Sequence, residues 1–259
     1  MKSWRFFGEL VRINLRASLA LRGAFLLQAA FMALNNLVYF TVWTIFFRRF
    51  HDLNGFTLSD MQLAYGIVAA GFGIAAALAG GLRDLSRMIV EGSLDTYLTQ
   101  PKSALARALC SRTQASGWGD VVSGLAVVAW SSQVGWAKVP WLVVAVSASA
   151  VVFVSAGVVF HSAAFWLGQV ESLARQLWEF MITFALYPEP IFGGGVRLLL
   201  YTLIPSAFAG FLPARLVHAP SLAHLSVTVG GAGVIAVVAL CMFQRGLRRY
   251  ESGNQVGAR

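Results

Sequence analysis

An all-α integral membrane fold is what this sequence predicts, on three observations. Hydrophobic residues make up 58% of the 259 positions and charged residues only 12%, a balance far from that of a water-soluble domain. Uncharged runs of about 20 residues, the helical length that crosses a hydrocarbon core of about 30 Å, recur along the chain. The basic residues lie between those runs instead of forming one basic domain. The short alternating segments of a membrane β-barrel are missing from the sequence. The expected architecture is a single transmembrane domain over residues 1–259, with an N-terminal interfacial helix, six transmembrane helices, and re-entrant extracytoplasmic half-helices before the last span.

Residues 3–22 open the chain. Arg5, Glu9, Arg12 and Arg16 stand at steps of four, three and four, which puts them on one helix face, while Phe6, Leu10 and Ile13 cover the rest. Such a helix lies in the membrane interface or serves as the polar lead-in to the first span. No small-residue cleavage site follows the first long apolar run, so the N-terminal segment is expected to be retained. The first span, 23–47, is closed by Arg48 and Arg49 and interrupted by Asn35 and Asn36. Amides in lipid need partners, which makes this pair a helix-packing contact or part of a transport path. The second span, 61–82, carries Gly66, Gly71, Gly73, Gly80 and Gly81, small residues that permit close helix approach.

A polar segment, 83–112, comes next, then a third span at 113–133, a turn holding Lys138 and Pro140, and a fourth span at 141–167. Trp130, Trp136 and Trp141 flank that turn as an interfacial aromatic belt does. The fifth span, 172–187, is short, and Glu171, Arg175 and Glu179 stand at its start in helical steps of four. Residues 188–220 then break the pattern with Pro188, Pro190, Gly193, Gly194, Gly195, Pro205, Pro213 and Pro220. The apolar stretch Leu198 to Leu212 is too short and too broken for an ordinary span and reads as a pair of half-helices dipping into the membrane. The last span, 222–243, ends at Arg245, Arg248 and Arg249.

Six spans place both termini on one side. Fifteen Lys and Arg fall on that side and five on the other, namely Arg48, Arg49, Lys138, Arg197 and Arg215. Basic loops resist translocation, so the fifteen are read as cytoplasmic, and the expected location is a bacterial inner membrane with both termini inside. Counting 198–212 as a seventh full span would send Arg245, Arg248 and Arg249 outward. Cys110 and Cys241 fall at the cytoplasmic side, where thiols stay reduced.

The residue pattern also argues against several chemistries. A formal charge of +9 without a basic domain bearing aromatic platforms does not make a nucleic-acid binder. A phosphate-cradling loop needs a glycine before its lysine, and Lys2, Lys102 and Lys138 all lack one. The chain is therefore not expected to bind ATP, or any other cofactor, itself. His51, His161, His218 and His224 are scattered without metal spacing, and no nucleophile elbow supports Ser-His-Asp catalysis. The run Gly193–Gly195 lacks the strand and helix context of a nucleotide site and reads as a hinge. Asp120 and Glu179 are the intramembrane acids, and their placement in the spans is shallower than a proton-coupled carrier needs.

In the polar segment Leu82, Leu85 and Ile89 repeat at helical spacing until Gly92 interrupts them. Ser93 is placed to cap a new helix, with Asp95 in its first turn, where the helix dipole favours an anion. Leu94, Tyr97 and Leu98 supply an apolar face and Pro101 ends the segment. Two short amphipathic helices with a glycine joint thus project from the membrane, and they need an apolar surface to dock on. The stretch I-V-E-G-S-L-D-T-Y-L-T-Q-P, Ile89 to Pro101, resembles the signature after the second span in permease subunits of type-2 ABC transporters, export branch. I-P-S-A-F-A-G-F-L-P, Ile204 to Pro213, is similar to the broken external segment of the same family.

The resemblance implies a homodimer, or a pair with a sister permease, bound to a dimer of separate cytoplasmic ATPase subunits that hold ATP and magnesium. It implies that Glu91, Gly92, Ser93, Leu94, Asp95, Leu98 and Pro101 form the contact that couples the two. It implies an outer gate that includes Gly193, Gly194, Pro205 and Pro213, with Pro205 and the glycine run as hinges, and a path along the first, second and fifth spans with Asn35, Asn36, Trp178 and Glu179 as lining. The cargo expected from an apolar, aromatic lining is an amphipathic or lipid-like compound. The other readings are a carrier or channel that needs no ATPase, and a membrane scaffold that transports nothing.

Overall fold

The computed structural model describes residues 3–99 and 102–250. Lys2, Pro101 and Arg259, which carry part of the expectations above, lie outside the described residues. The protein is nearly all-α, 81% helical. Helix α1 (Ser3–Ala20) leads into α2 (Arg22–Phe50), which continues through Arg48 and Arg49. Strands β1 (Asp52–Leu53) and β2 (Phe56–Thr57) form a two-residue hairpin turned by Asn54 and Gly55. Both turn residues have positive φ, 52° and 81°, as a type I′ loop requires. Thr57 and Asp60 then exchange side-chain and backbone bonds in a capping box that starts α3 (Leu58–Leu78).

The second span ends earlier than its expected limit at residue 82. A 3-10 turn, Gly80–Asp84, replaces the last helical turn, and the two glycines allow it because the backbone passes hard against its neighbours. A Cβ on Gly80 would lie 2.7 Å from the Arg112 carbonyl oxygen. Three short helices follow, α4 (Leu85–Val90), α5 (Asp95–Leu98) and α6 (Ala104–Leu109). The chain then forms α7 (Ala115–Trp130), α8 (Val139–Ser162), α9 (Ala164–Leu167) and α10 (Glu171–Ala185). Residues 188–220 fold as α11 (Gly194–Tyr201), α12 (Ser206–Ala209) and α13 (Phe211–His218), and α14 (Leu222–Leu247) closes the described chain.

Four segments are long and apolar enough to cross a membrane: α2, α3, Trp136–Leu167 and α14. The pair α11 and Ser206–His218 makes a fifth only if its two arms, bent by 64°, count as one span. α7 and α10 have 16 and 15 residues. At about 1.5 Å per residue both fall short of a hydrocarbon core of about 30 Å.

At the centre is α3, with 15 of its 21 residues buried. It packs on α7 through paired glycines, where Gly73 faces Gly117 and Gly66 faces Gly124, and it also contacts α8. In α2, by contrast, burial is confined to Asn36, Phe40, Trp43 and Phe47, a single stripe at steps of four, three and four. The rest of that helix presents Leu27, Phe31, Leu34, Val38 and Ile45 outward.

Within the stripe Asn36 makes a helix-packing contact: its amide nitrogen donates to Asp120 Oδ1 at 2.7 Å and to Ser123 Oγ at 2.9 Å, and it accepts from the Tyr65 hydroxyl at 3.3 Å. Asp120 is correspondingly deeper than its place in the sequence suggested, since it meets the middle of the 29-residue α2.

Candidate functional site

The α4–α6 end of the bundle is organised around Gly92. Its φ of +76° is a conformation that glycine adopts without strain. The Leu94 amide reaches back to the Met88 carbonyl at 3.1 Å and the Asp95 amide to Gly92 at 3.2 Å, closing the turn between α4 and α5. The expected cap at Ser93 is not formed. The helix starts one residue later, at Asp95, and its N-cap position is Leu94, which makes no side-chain cap bond. Tight closure over Gly92 uses the backbone groups, and Ser93 is left exposed in the turn.

Leu94 is fully buried, in the same core cluster as Leu82, Leu85, Ile89 and Phe153. Glu91, Ser93 and Leu98 face outward, Leu98 with 42% of its surface exposed. One leucine therefore anchors the segment and the other offers an apolar contact. Ionic and stacking contacts brace the segment from behind. Asp84 pairs with Arg87 at 2.6 Å and with Arg112 at 3.0 Å. Arg107 donates to the Tyr97 carbonyl at 3.1 Å with its guanidinium above the Tyr97 ring. Ser86 is hydrogen-bonded to His161 Nδ1, which ties α4 to α8 and gives that lone histidine a packing role. Asn14 of α1 donates to the Cys110 carbonyl, and burial pushes the Cys110 thiol up, which keeps it protonated and a poor nucleophile.

Beside the segment lies a cavity of about 640 Å³ lined by Ser86, Arg87, Val90, Glu91, Gln169, Glu171, Arg175, Gln176 and Glu179. Arg175 pairs with Glu171 across one helical turn. Glu179 and Glu91 carry no ion pair among the described residues. Trp178 does not line this space. It is buried, its Nε1 donates to the Phe153 carbonyl at 3.1 Å, and Arg83 stacks over its ring at 5.7 Å. Helical periodicity points Trp178 and Glu179 about 100° apart, and here Trp178 turns into the core while Glu179 borders the cavity. Of the four expected lining residues, then, Asn36 and Trp178 hold helices together, and Asn35 and Glu179 are exposed.

The hairpin end carries a second cluster. Glu189, left out of the sequence reading, accepts from Arg197 at 2.9 Å, from Arg215 at 2.6 Å and from the Tyr201 hydroxyl at 3.1 Å. One carboxylate thereby joins the two arms of the bent pair. Asp60 accepts from Gln133 at 2.7 Å, and Gln133 Oε1 is hydrogen-bonded to His218 at 2.8 Å. Asp60, Glu189, Arg197, Arg215 and His218 border a cavity of about 520 Å³ that also meets Asn54, Phe56, Tyr187 and Phe211. Among the expected hinges, Gly193 and Gly194 are exposed with open space around them, and Gly194 has φ +52°. Pro205 and Pro213 are buried.

Removal of the shared carboxylate in Glu189→Gln leaves two guanidiniums facing each other. With both arginines about half exposed, the expected cost is about 1 kcal/mol. The readout is amide hydrogen exchange of residues 196–200, which should speed up. Exchange as slow as in the parent would show that the contact holds nothing.

Long apolar helices around a buried central helix, with a braced, glycine-jointed segment at one end, define a multi-pass membrane protein. The chain belongs to the ABC-2 family transporter proteins, whose family model matches residues 33–254. That family forms the membrane component of a transporter and generally works with an ATPase partner. No curated protein and no solved structure matches the chain.

Proposed function

We propose that this chain is the permease subunit of an ATP-driven exporter in a bacterial inner membrane. It crosses the membrane six times with both termini in the cytoplasm, works as a homodimer or with a sister permease, and moves an amphipathic or lipid-like compound outward by alternating access. The reading rests on family membership together with the segment around Gly92, where a buried Leu94 holds the turn to the helix bundle while Glu91, Ser93 and Leu98 stand free for a partner. A partner ATPase that closes on ATP would press on this turn. The turn is joined to α3 through the 3-10 turn and α4, and α4 packs on α8, so the push would enter the bundle through α4 and α8. The paired arms at Glu189 act as the outer gate, with Gly193 and Gly194 as the compliant joint and the buried Pro205 and Pro213 as its rigid part.

Purification of the full complex from native membranes tests the reading. An ATPase is expected to co-purify with the parent chain and to be lost from Leu98→Asp, whose partially exposed side chain leaves the fold intact. Substrate movement that persists with no ATPase present would sink it in favour of an ATP-independent carrier.

A further inference from the structure

Two cavities at the α4–α6 end meet along the α2–α7 boundary, and their chemistries differ. One, about 470 Å³, is lined on its polar side by Arg83, Arg112, Gln114 and Ser116. The other, about 680 Å³, runs along the outward wall of α2 past Phe31, Met32, Leu34 and Val38. Gln28 and Ser116 belong to both, so the two form one continuous groove. Its apolar half is open to the membrane, with Phe31, Leu34 and Val38 each more than half exposed.

The basic half is not neutralised from within. Asp84 alone answers both Arg87 and Arg112. Arg83 has no ion pair among the described residues; it stacks on Trp178, with the charge of Glu179 acting on it through space. The groove's own cations are Arg83 and Arg112, no carboxylate is among its lining residues, and guanidinium groups match the oxygens of a phosphate.

We propose that this groove seats an anionic phospholipid, its headgroup phosphate on Arg83 and Arg112 and an acyl chain along Phe31, Leu34 and Val38. A second copy of the chain fits the wall less well, because twofold packing there would bring two sets of Arg22, Arg83 and Arg112 together. The inference goes beyond the permease reading and requires only that α2 cross the membrane.

The full chain, reconstituted in nanodiscs of mixed phosphatidylglycerol and phosphatidylcholine and then released into mild detergent, is weighed with its retained lipid by native mass spectrometry. Retention of phosphatidylglycerol over phosphatidylcholine is expected, and in Arg83→Gln/Arg112→Gln that preference should fall about tenfold, as lost charge-assisted bonds imply. Arg83→Lys/Arg112→Lys, which keeps the charge, should hold most of it, and Arg248→Gln/Arg249→Gln, which removes equal charge elsewhere, should match the parent. Equal retention of both lipids by the parent chain overturns the proposal. So does an equal loss in the Arg248 and Arg249 control, or complete displacement of the lipid by inorganic phosphate. Cross-linking of two copies through Phe31→Cys, with retention flat across all variants, assigns the wall to a second copy and also overturns it. Because lipid is counted without ATP or an ATPase, failure here leaves the permease reading standing, and the converse holds.

Discussion

Leu94→Asp is expected to abolish the folded α4–α6 end, whereas the same change at Leu98, four residues on, is expected to leave it folded. Leu94 has no exposed surface and lies in the main core cluster. Truncation of a buried leucine to alanine already costs about 2–5 kcal/mol, and an unpaired buried carboxylate adds several more in effective desolvation. Against a total stability of about 5–15 kcal/mol, that sum is decisive. Trypsin digestion in detergent reads the difference, since Arg87 and Arg107 lie within the segment and Arg112 just after it. Leu94→Asp should be cut there at once and Leu98→Asp no faster than the parent. Equal protection of both variants would remove the distinction between anchor and contact.

A comparably large effect is expected at the crossing of α3 and α7. A Cβ placed on Gly73 meets the Gly117 carbonyl oxygen at 2.5 Å, the Val121 nitrogen at 2.7 Å and Asp120 Cβ at 2.8 Å. These obstacles are backbone or Cβ atoms, so no side-chain rotation relieves them, and Gly73→Leu must push the helices apart. Overpacking costs about 1–3 kcal/mol in cores that can adjust. The loss should lie at or above the top of that range, because separation also breaks the Asn36–Asp120 contact beside it. The matching change at Gly230, where nothing lies within 4 Å, should be near neutral. Thermal unfolding of the two variants in one detergent compares them directly, and equal midpoints would mean that the glycine contact sets no helix distance.

Helix positions were legible in the sequence because apolar runs and Gly/Pro breaks act locally. Gly92 was legible for the same reason, since a turn between two amphipathic pieces calls for a residue free to take positive φ. Three features depended on distant partners and stayed hidden. Asn36 meets Asp120 across 84 positions, so no local pattern could say whether the amide faced a helix or a path. Leu94 and Leu98 stand four apart like two residues of one helix face, yet the helix begins at Asp95 and the earlier leucine points into the core from the turn. Glu189 is a single acid among prolines, and its value comes from Arg197 and Arg215, which the fold brings to it. The Asn54–Gly55 hairpin is a different case. Its dipeptide signal stands between Leu53 and Phe56, a purely local turn cue that is short beside the long apolar runs on either side.

The central position of α3 has a consequence for how the protein is made. Its main packing partners, α7 and α8, both lie later in the chain. During synthesis α3 must therefore enter the bilayer before the helices that will surround it exist, with lipid as a temporary neighbour for a surface that ends up covered by protein. Its sequence suits both surroundings: it is apolar enough to cross the membrane unaided, and its small residues, Gly66, Gly71 and Gly73, wait for helices that have yet to arrive. A chain stopped before residue 115 should still insert α3 but leave it bare.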